Sequence, residues 1–416
     1  MIEKVKIPWR CWYGNKKHII YFPKDWEVHI AEMKGSPTIK LADIDRAIDE
    51  PICSYKVEEL AHGKKTVGIL VDDLSRPTPA KLIIPLVIEK LKKAGIHQED
   101  ITFFISLGAH RPMTKQDMIK KLGKNIVATF QVLNHNPFDN LIYLGKSKMG
   151  HPISINRHFM ENDLKISIGC ILPHSLAGFG GGAKNIIPGV GGIDTLSANH
   201  SSAFYEKDKQ KMPHYWIGEP DNPVREDMED IVRKVGAVFI INAVLNSKME
   251  IAGIFTGDLV KAHRAGAQFA RKVYSTKIIL EADIIILNAY PKDTEFGQII
   301  NVFNVLGNQP KKFISNKDSI IILTTAASEG AGFHSLLGPS MKMFVPYDTM
   351  IPPQTISDIT TWIYSPNLSI AEIKAYFVEL PSFYNDWEIV LKDLISRFGE
   401  KARVAIYPYS CIQMSI

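Results

Sequence analysis

The chain contains 416 residues, of which 45% are hydrophobic and 22% charged, with a formal net charge of +5. This ordinary globular composition excludes a largely disordered chain, and the length favours two domains. The modest charge argues against a nucleic-acid partner, and no apolar run approaches the roughly 18 residues that a membrane span requires. The first residues lack the apolar core and cleavage site of a signal peptide, so a cytoplasmic protein is expected.

Alternating strands and helices dominate the first half of the chain. Apolar and polar residues alternate over the first 35 residues, which predicts a small antiparallel set of strands. Three apolar runs then predict buried strands at 66–71, 101–107 and 165–172. Helices are predicted at 41–47, at 82–93, where Pro85 is tolerable only in the first turn, and after Thr114, which can cap its helix. This alternation predicts parallel β-α-β packing.

The second half begins with a predicted strand pair and a helix and then starts a fresh α/β pattern. The strands are predicted at 237–245, 251–255, 282–287, 319–323 and 403–407, and the helices at 258–274, 296–306, 370–378 and 387–398. We therefore expect two domains, each a mainly parallel sheet flanked by helices, with the active site in the cleft between them. An N-terminal catalytic and cofactor-binding domain is expected at 1–276 and a C-terminal α/β domain at 277–390. The sequence leaves open whether 391–416 return to the first domain.

Polar side chains follow each of the three buried strands of the first domain. Asp73 and Arg76 follow the first strand, His110 and Arg111 the second, and His174 the third. Ligands of parallel sheets lie beyond the carboxyl ends of the strands, so these side chains should converge. Histidine, with an unperturbed pKa of about 6.5, is a natural general base, and arginine can grip a carboxylate or phosphate. The pattern predicts acid–base chemistry on an anionic ligand.

A glycine-rich loop follows the third strand and contains Lys184, with His200 beyond it. Glycine lets backbone N–H groups approach an anion and lysine adds a charge, which predicts an anion-binding loop. His200, in the sequence SANHSS, is expected in a turn. A metal-binding role for it stays open, because neutral imidazole binds nickel, copper and zinc. Most ligands of such a metal would have to come from elsewhere, such as a cofactor.

Several other residues have plainer interpretations. The four cysteines form no CxxC pair, and Cys170, inside a predicted strand, is expected to be a buried free thiol. His263 falls on a basic helix face and is expected to be solvated. The stretch Gly145 to Ser147 is similar to the tail of a P-loop, but Asn140 stands where the first glycine should be.

Three sequence blocks resemble the signature blocks of the nickel-dependent lactate racemase family. They are DDLSRPTP at 72–79, LGAHRPMT at 107–114 and HSLAGFGGGAK at 174–184, and PGVGG at 188–192 continues the resemblance. The blocks stand in the order found in the family and are jointly specific. The resemblance runs through both predicted domains and weakens after Tyr290.

The resemblance implies a cofactor and a set of residue roles. Members of the family carry a nickel-pincer nucleotide, a pyridinium-3-thioamide-5-thiocarboxylic acid mononucleotide, which is made by dedicated cofactor-synthesis enzymes. Lys184 would hold it through a thioamide bond, and His200 would bind the nickel. His110 and His174 would be the two acid/base groups for hydride transfer from and to C2 of a 2-hydroxy acid. Cofactor contacts are further implied for Asp73, Leu74, Ser75, Arg76, Gly180, Gly181 and Gly182.

The chain departs from the family pattern where the substrate should bind. Lactate-type members show Tyr-Gln followed by a lysine three residues on, whereas here Gly297, Gln298 and Asn301 occupy those positions. Arg76, Gln298 and Asn301 are therefore the expected substrate contacts. Glycine for tyrosine should open the pocket, and asparagine for lysine removes a charge, so we expect a substrate larger or more polar than lactate.

Two other functions remain open from the sequence. One is an NAD-dependent 2-hydroxy acid dehydrogenase, which would release the 2-oxo acid and form NADH. The other is a non-catalytic nucleotide- or metal-binding protein on the same scaffold. The presence of both His110 and His174 speaks against it, because a protein that only binds needs neither base.

Overall fold

The computed structural model of the chain describes residues 2–202, 216–307, 310–350 and 359–416. Numbered along the chain, its strands are β1 Ile2–Trp9, β2 Lys16–Pro23, β3 Glu27–Ile30, β4 Val67–Asp72, β5 Ile101–Ser106, β6 Gln131–Asn134, β7 Leu141–Lys146, β8 Pro152–Asn156, β9 Leu164–Cys170, β10 Pro173–His174, β11 Gly178–Phe179, β12 Phe239–Leu245, β13 Ile251–Gly257, β14 Ser275–Thr276, β15 Ile284–Asn288, β16 Ile320–Thr324, β17 Thr360–Tyr364, β18 Ser382–Tyr384, β19 Arg403–Tyr407 and β20 Met414–Ser415.

The helices are numbered in the same way. They are α1 Leu41–Asp49, α2 Val57–Ala61, α3 Ala80–Lys93, α4 Lys115–Leu122, α5 Lys124–Thr129, α6 Arg157–Met160, α7 Ile193–Ser202, α8 Pro223–Val235, α9 Lys261–Tyr274, α10 Tyr347–Met350, α11 Ile370–Lys374 and α12 Trp387–Phe398. Segments of 3-10 helix lie at Gln98–Asp100, Gly182–Asn185, Phe296–Leu306 and Pro310–Lys312. Within the described ranges, no helix is long and apolar enough to cross a membrane.

The chain divides into two compact units. The central unit is Gly35–Val273, and the terminal unit combines Met1–Lys34 with Tyr274–Ile416. This division differs from the predicted one, because the first 34 residues belong with the second half of the chain. The C-terminal segment 391–416 lies in that terminal unit and does not return to the central one.

The central unit is built on a six-stranded sheet in the order β13-β12-β9-β4-β5-β6. Only β13, paired with β12, is antiparallel in it. Every residue of β4 and β9 is buried, including the polar residues Asp72, Lys165 and Ser167. The carboxyl ends of β9, β4 and β5 are therefore neighbours along one edge of the sheet. A core cluster of this unit packs Leu70 of β4 and Phe104 of β5 against residues of the glycine-rich loop and α8.

The terminal unit contains a second six-stranded sheet, in which all strands run parallel in the order β18-β17-β16-β15-β19-β3. The expected antiparallel set in the first 35 residues is confirmed for β1 and β2 alone. Strand β3 instead lies parallel to β19, near the other end of the chain. Both units thus have the predicted architecture of mainly parallel sheets flanked by helices; the cleft between them stays a prediction.

Helix α3 differs from its prediction at one end. It begins at Ala80, two residues early, so that Pro85 lies beyond the first turn. Proline there removes one backbone hydrogen bond. The buried stripe that includes Ile83, Ile84 and Val87 anchors the helix on the sheet. Burial of these side chains outweighs the local penalty, which sequence propensity alone does not capture.

Candidate active site

The first group of the site is a hydrogen-bonded cluster at the ends of β4 and β5. Nδ1 of His110 lies 2.6 Å from Oδ2 of Asp73 and 3.2 Å from the Ser75 hydroxyl. The other carboxylate oxygen of Asp73 accepts the Ser75 hydroxyl and, at 3.0 Å, the Ser75 backbone N–H. The predicted convergence of Asp73 and His110 is confirmed, and it follows from the parallel pairing of their strands.

The charge on Asp73 fixes the tautomer of His110. Burial acts to raise the pKa of Asp73. The charge and hydrogen bond of His110, the charge of Arg76 and the hydrogen bond of Ser75 together outweigh burial, so the pKa of Asp73 lies below its usual value. An ionised carboxylate can only accept, so Nδ1 of His110 carries the hydrogen that it donates. Neutral His110 consequently has its lone pair on Nε2 and can take a proton there.

A buried lysine, which the sequence analysis missed, holds the loop after β4. Lys121 of α4 is fully buried and pairs with Asp72 at 2.6 Å. Its ammonium also donates to the carbonyls of Asp73 at 3.0 Å and Arg76 at 2.8 Å. Three acceptors satisfy the three ammonium hydrogens, so the loop is fixed behind the residue that orients His110. In sequence, Lys121 is one of several helix lysines, and nothing marks it as buried.

The two candidate arginines have different surroundings. Arg76 is half-buried and donates from Nη1 to the Ser75 carbonyl and hydroxyl at 3.1 and 3.0 Å, beside the Asp73–His110 pair. Arg111 pairs with Asp117 at 2.9 Å. Asp117 is also bonded to the Thr114 cap of α4, as the sequence predicts for Thr114. Arg111 therefore has a structural partner, and Arg76 is the better candidate for an anionic ligand.

His174 has the opposite tautomer to His110. It ends the short strand β10, just after β9, and its Nδ1 accepts the backbone N–H groups of Leu176 and Ala177, both at 3.2 Å. A nitrogen that accepts two hydrogen bonds carries no hydrogen, so neutral His174 bears its hydrogen on Nε2. One imidazole can thus accept a proton at Nε2 while the other donates from Nε2.

The glycine-rich loop is gripped from behind by two buried side chains. Arg225 of α8 donates to the carbonyls of Ala177 at 3.0 Å, Gly181 at 3.2 Å and Phe179. His263 of α9 lies 2.9 Å from the Gly180 carbonyl and is fully buried, so its predicted solvated position is wrong. Burial lowers the pKa of His263 well below its usual range, which keeps the ring neutral. Sequence periodicity places it on a basic face but cannot reveal the carbonyl that it contacts.

Glycine is required in this loop by the packing of the protein itself. Gly181 and Gly182 have φ values of +70° and +56°. A Cβ on Gly181 would meet the Asn242 side chain at 2.7 Å, and one on Gly182 would meet the His263 ring at 2.9 Å. The N–H groups of Gly180 and Gly182 already donate, at 2.7 Å each, to the Leu172 carbonyl and the Asn242 side chain. These glycines need no ligand to explain them.

Lys184 lies half-buried in the 3-10 segment Gly182–Asn185. Its neighbour Asn185 bonds the Ile168 carbonyl of β9 at 3.0 Å, and the Asn185 carbonyl accepts the Ser106 hydroxyl of β5 at 2.6 Å. The backbone that carries Lys184 is therefore attached to two strands of the sheet. The loop acts as a support that holds this lysine at the edge where His110 and His174 lie.

His200 is helical, and its predicted turn is wrong. It lies in α7, where its Nδ1 is 2.8 Å from the Leu196 carbonyl, the i−4 partner in the helix. Nδ1 therefore donates, and Nε2 keeps a lone pair. Burial lowers the pKa of His200 to about 4, helped by the charges of Lys184 and His110. A neutral imidazole with a free lone pair has the chemistry of a metal ligand. Among the described residues, no three His, Cys, Asp or Glu side chains converge on a metal position.

The two substrate residues expected in the second half belong to the terminal unit. Asn301 accepts the ammonium of Lys292 at 2.8 Å on its amide oxygen and donates to the Gln298 carbonyl at 2.9 Å. Gln298 in turn donates to Glu295 at 3.2 Å. Lys292, which the sequence analysis did not select, thus brings a cation to the position where lysine is replaced by asparagine. Space at Gly297 is bordered by polar atoms, since a Cβ there would lie 3.5 Å from the Tyr376 hydroxyl and 3.6 Å from the Ala331 carbonyl.

Cys170 has no chemical role in this arrangement. It is a free, buried thiol, as the sequence predicts, and burial raises its pKa to about 12. A thiol that stays protonated at neutral pH is neither a nucleophile nor a metal ligand. The reactive groups at this sheet edge are therefore the histidines, the Asp73 carboxylate and the lysine.

Known proteins resemble this chain in both sequence and fold. The sequence profile of the lactate racemase N-terminal domain matches residues 13–212. Lactate racemase of Thermoanaerobacterium thermosaccharolyticum is 30% identical over 340 residues, 80% of this chain and 76% of that protein. Lactate racemase of Lactiplantibacillus plantarum is 32% identical over 302 residues, 70% of this chain and 68% of that protein.

Two solved structures share the fold. The lactate racemase apoprotein from Thermoanaerobacterium thermosaccharolyticum superposes with a TM-score of 0.74 at 24% identity, covering 100% of both chains. A protein from Thermotoga maritima superposes with a TM-score of 0.67 at 17% identity, covering 91% of this chain and 98% of that one.

Proposed function

Since this chain belongs to the lactate racemase family, and is by that membership an isomerase of the racemase class, we propose that it inverts C2 of a 2-hydroxy acid larger or more polar than lactate. The observation that carries the proposal is the pair of opposite tautomers at the edge of the central sheet. A hydroxyl on C2 must lose a proton in one half of the inversion and regain one in the other. His110 and His174 are prepared for these two tasks.

His110 takes the hydroxyl proton. Its Nε2 holds the lone pair because Asp73 accepts the hydrogen on Nδ1, and the carboxylate stabilises the imidazolium that forms. His174 supplies a proton from Nε2 to the oxygen when C2 is reduced from its other face. The proton that His110 took is released to water and His174 regains one from water, so each inversion returns both rings to the neutral tautomers fixed by Asp73 and by the N–H groups of Leu176 and Ala177.

The chain's residues suit the nickel-pincer nucleotide that the family resemblance implies. Lys184 would hold it covalently, and Nε2 of His200 would bind nickel, with the other ligands coming from the nucleotide. Asp73, Leu74, Ser75, Arg76 and the glycines 180–182 would border it. When bound, the group supplies a hydride acceptor for C2, which avoids a high-energy carbanion. Cofactor-synthesis enzymes would be required to load the protein.

The substrate carboxylate would be bound by cationic and amide donors. Arg76 offers a guanidinium beside the Asp73–His110 pair. Gln298 and Asn301 offer amides, and Lys292 supplies the positive charge that Asn301 lacks. The polar border at Gly297 favours oxygen atoms on the substrate chain over methyl groups.

The test uses protein made together with the cofactor-synthesis enzymes and checked for nickel and for added mass on Lys184. Single enantiomers of 2-hydroxy acids, from lactate to sugar acids, are followed by chiral chromatography. We expect inversion, faster with the longer acids, and retention of deuterium placed at C2. A clear preference for lactate would overturn the substrate assignment. Loss of deuterium to water would overturn hydride transfer, and formation of NADH would favour a dehydrogenase.

A further inference from the structure

The ring of His200 is fixed to its own helix, so its position depends on how α7 is held. Its Nδ1 lies 2.8 Å from the Leu196 carbonyl of the same helix. Near the start of α7, the Thr195 hydroxyl accepts the Ser154 backbone N–H of β8 at 2.9 Å. That bond lies more than one helical turn before His200. The position of Nε2 therefore depends on contacts made at the other end of the helix.

Asp227 of α8 holds that other end. Its side chain is buried, and its Oδ2 accepts the side-chain amide of Asn199, the residue before His200, at 3.2 Å. The same oxygen lies 2.8 Å from Nδ1 of His151, which directly precedes β8. One carboxylate oxygen therefore joins α7, α8 and the β7–β8 hairpin, and hydrogen bonds to a carboxylate are among the stronger ones in proteins.

The other oxygen of Asp227 indicates a role beyond stability. Oδ1 is buried and has no hydrogen-bond partner within the described part of the chain. A buried carboxylate oxygen without a partner costs free energy, and buried charged pairs can often be replaced by well-packed apolar residues without loss of stability. Stability alone therefore does not explain an acid at this position, whereas the bond to α7 requires an acceptor.

The same helix also holds the loop that carries Lys184. Arg225, two residues before Asp227, donates to carbonyls of the glycine-rich loop. Residues two apart in a helix point to different sides, so α8 contacts the loop through one side chain and α7 through the other. Helix α8 thus relates the position of Lys184 to that of His200.

We propose that Asp227 is a positioning residue for His200, so that one helix sets the spacing between the lysine that would hold the nickel-pincer nucleotide and the histidine that would bind its nickel. This inference rests on the cofactor assignment of the proposed function. A metal–ligand distance tolerates a displacement of only about 0.2 Å, whereas a lysine side chain is long and flexible. Loss of the Asp227 bond should therefore weaken nickel binding and spare the attachment to Lys184.

The test uses full-length protein made together with the cofactor-synthesis enzymes. Asp227→Leu removes the acceptor, whereas Asp227→Asn keeps an oxygen that can accept both bonds. The matched control is Asp230→Leu on the same helix. Among the described residues, the buried Asp230 carboxylate bonds only Lys148 of the β7–β8 turn, at 3.0 Å to its backbone N–H and 3.4 Å to its ammonium. Nickel per chain is followed during dialysis against a chelator, with intact mass for Lys184.

We expect Asp227→Leu to lose nickel about tenfold faster than wild type while its added mass on Lys184 stays complete. Asp227→Asn and Asp230→Leu should lose nickel within about threefold of the wild-type rate. Wild-type retention in folded Asp227→Leu, or an equal loss in Asp230→Leu, would overturn the inference. Asp227→Ala, which cannot overpack the site, takes the place of Asp227→Leu if the leucine variant does not fold.

Amide hydrogen exchange of the cofactor-free protein tests the same contact without nickel. In Asp227→Leu, amides in the last turn of α7 should exchange about tenfold faster than in wild type or Asp230→Leu. Unchanged exchange there would overturn the inference. Wild-type protein that carries no nickel after production with the synthesis enzymes would refute the cofactor assignment. The exchange experiment would then still decide whether Asp227 fixes the end of α7 that carries His200.

Discussion

Replacing Asp73 by asparagine should prevent His110 from acting as a base, although the two side chains have nearly the same size and shape. One oxygen of Asp73 accepts the Ser75 N–H and hydroxyl, so the carbonyl of an asparagine would take that position. Its amide NH2 would then face Nδ1 of His110, which now lies 2.6 Å from a carboxylate oxygen. Nδ1 would have to accept, and the lone pair would leave Nε2.

Two contributions set the size of the effect. A hydrogen bond to a charged group contributes about 1.5–3 kcal/mol, which corresponds to roughly 10- to 100-fold in rate. The wrong tautomer adds to this, since the same change in a Ser-His-Asp triad lowers turnover about 10⁴-fold. We therefore expect kcat for Asp73→Asn to fall about 100-fold or more.

The assay is initial-rate inversion of single enantiomers by the loaded enzyme, with intact mass to confirm that Lys184 is modified to the wild-type extent. Glu27→Gln makes the matched change in an exposed carboxylate–histidine pair, with His29 at 2.5 Å, and should keep full activity. If Asp73→Asn is loaded normally and retains more than about a third of the wild-type kcat, the carboxylate does not set the tautomer and the reasoning is wrong.

Three further predictions follow from single contacts. Lys292→Met should raise KM for hydroxy acids about tenfold in steady-state assays. The double variant Lys292→Met/Asn301→Lys should return KM to near the wild-type value, because the lysine at 301 places a positive charge beside the lost one. Arg225→Gln should leave the Ala177 and Gly181 carbonyls without their partner. We expect a lower fraction of chains with added mass on Lys184, measured by intact mass on variant protein that is shown to be folded. Burial lowers the pKa of His135 from 6.5 to about 4, so its contribution to stability is complete above pH 6.5 and falls as the pH drops towards 4. Between pH 7.5 and pH 5.5 the free energy of unfolding, measured with denaturant, should fall by about 1.4 kcal/mol less for His135→Gln than for wild type.

The sequence predicts this fold best where local pattern and tertiary packing agree. Strands β4, β5 and β9 are rich in buried apolar residues and pair in parallel, and their neighbouring ends therefore predict the meeting of Asp73 and His110. The cap at Thr114 is equally local, since one side chain and the N–H three residues later suffice.

Prediction fails where a contact joins distant parts of the chain. Strand β3 pairs with β19, and no residue in either strand encodes a partner so far away. His200 stands among serines and an asparagine, which favour turns, yet α7 continues through it because the helix packs against β8 and α8. The position of Lys292 could not be predicted for the same reason, because its proposed role depends on the Asn301 amide oxygen to which its ammonium donates.

The glycines of the loop at 178–192 are needed for a different physical reason from the predicted one. In the sequence, its glycines suggest backbone amides open to an anion. In the structure, Asn242 and His263 lie where side chains on Gly181 and Gly182 would project, and Asn242 accepts the Gly182 amide. What the loop needs is close packing over Arg225 and His263, which hold its carbonyls. Glycine is thus the residue that allows a rigid support for Lys184, and rigidity is what the proposed covalently attached hydride acceptor would require if both faces of C2 are to be reached.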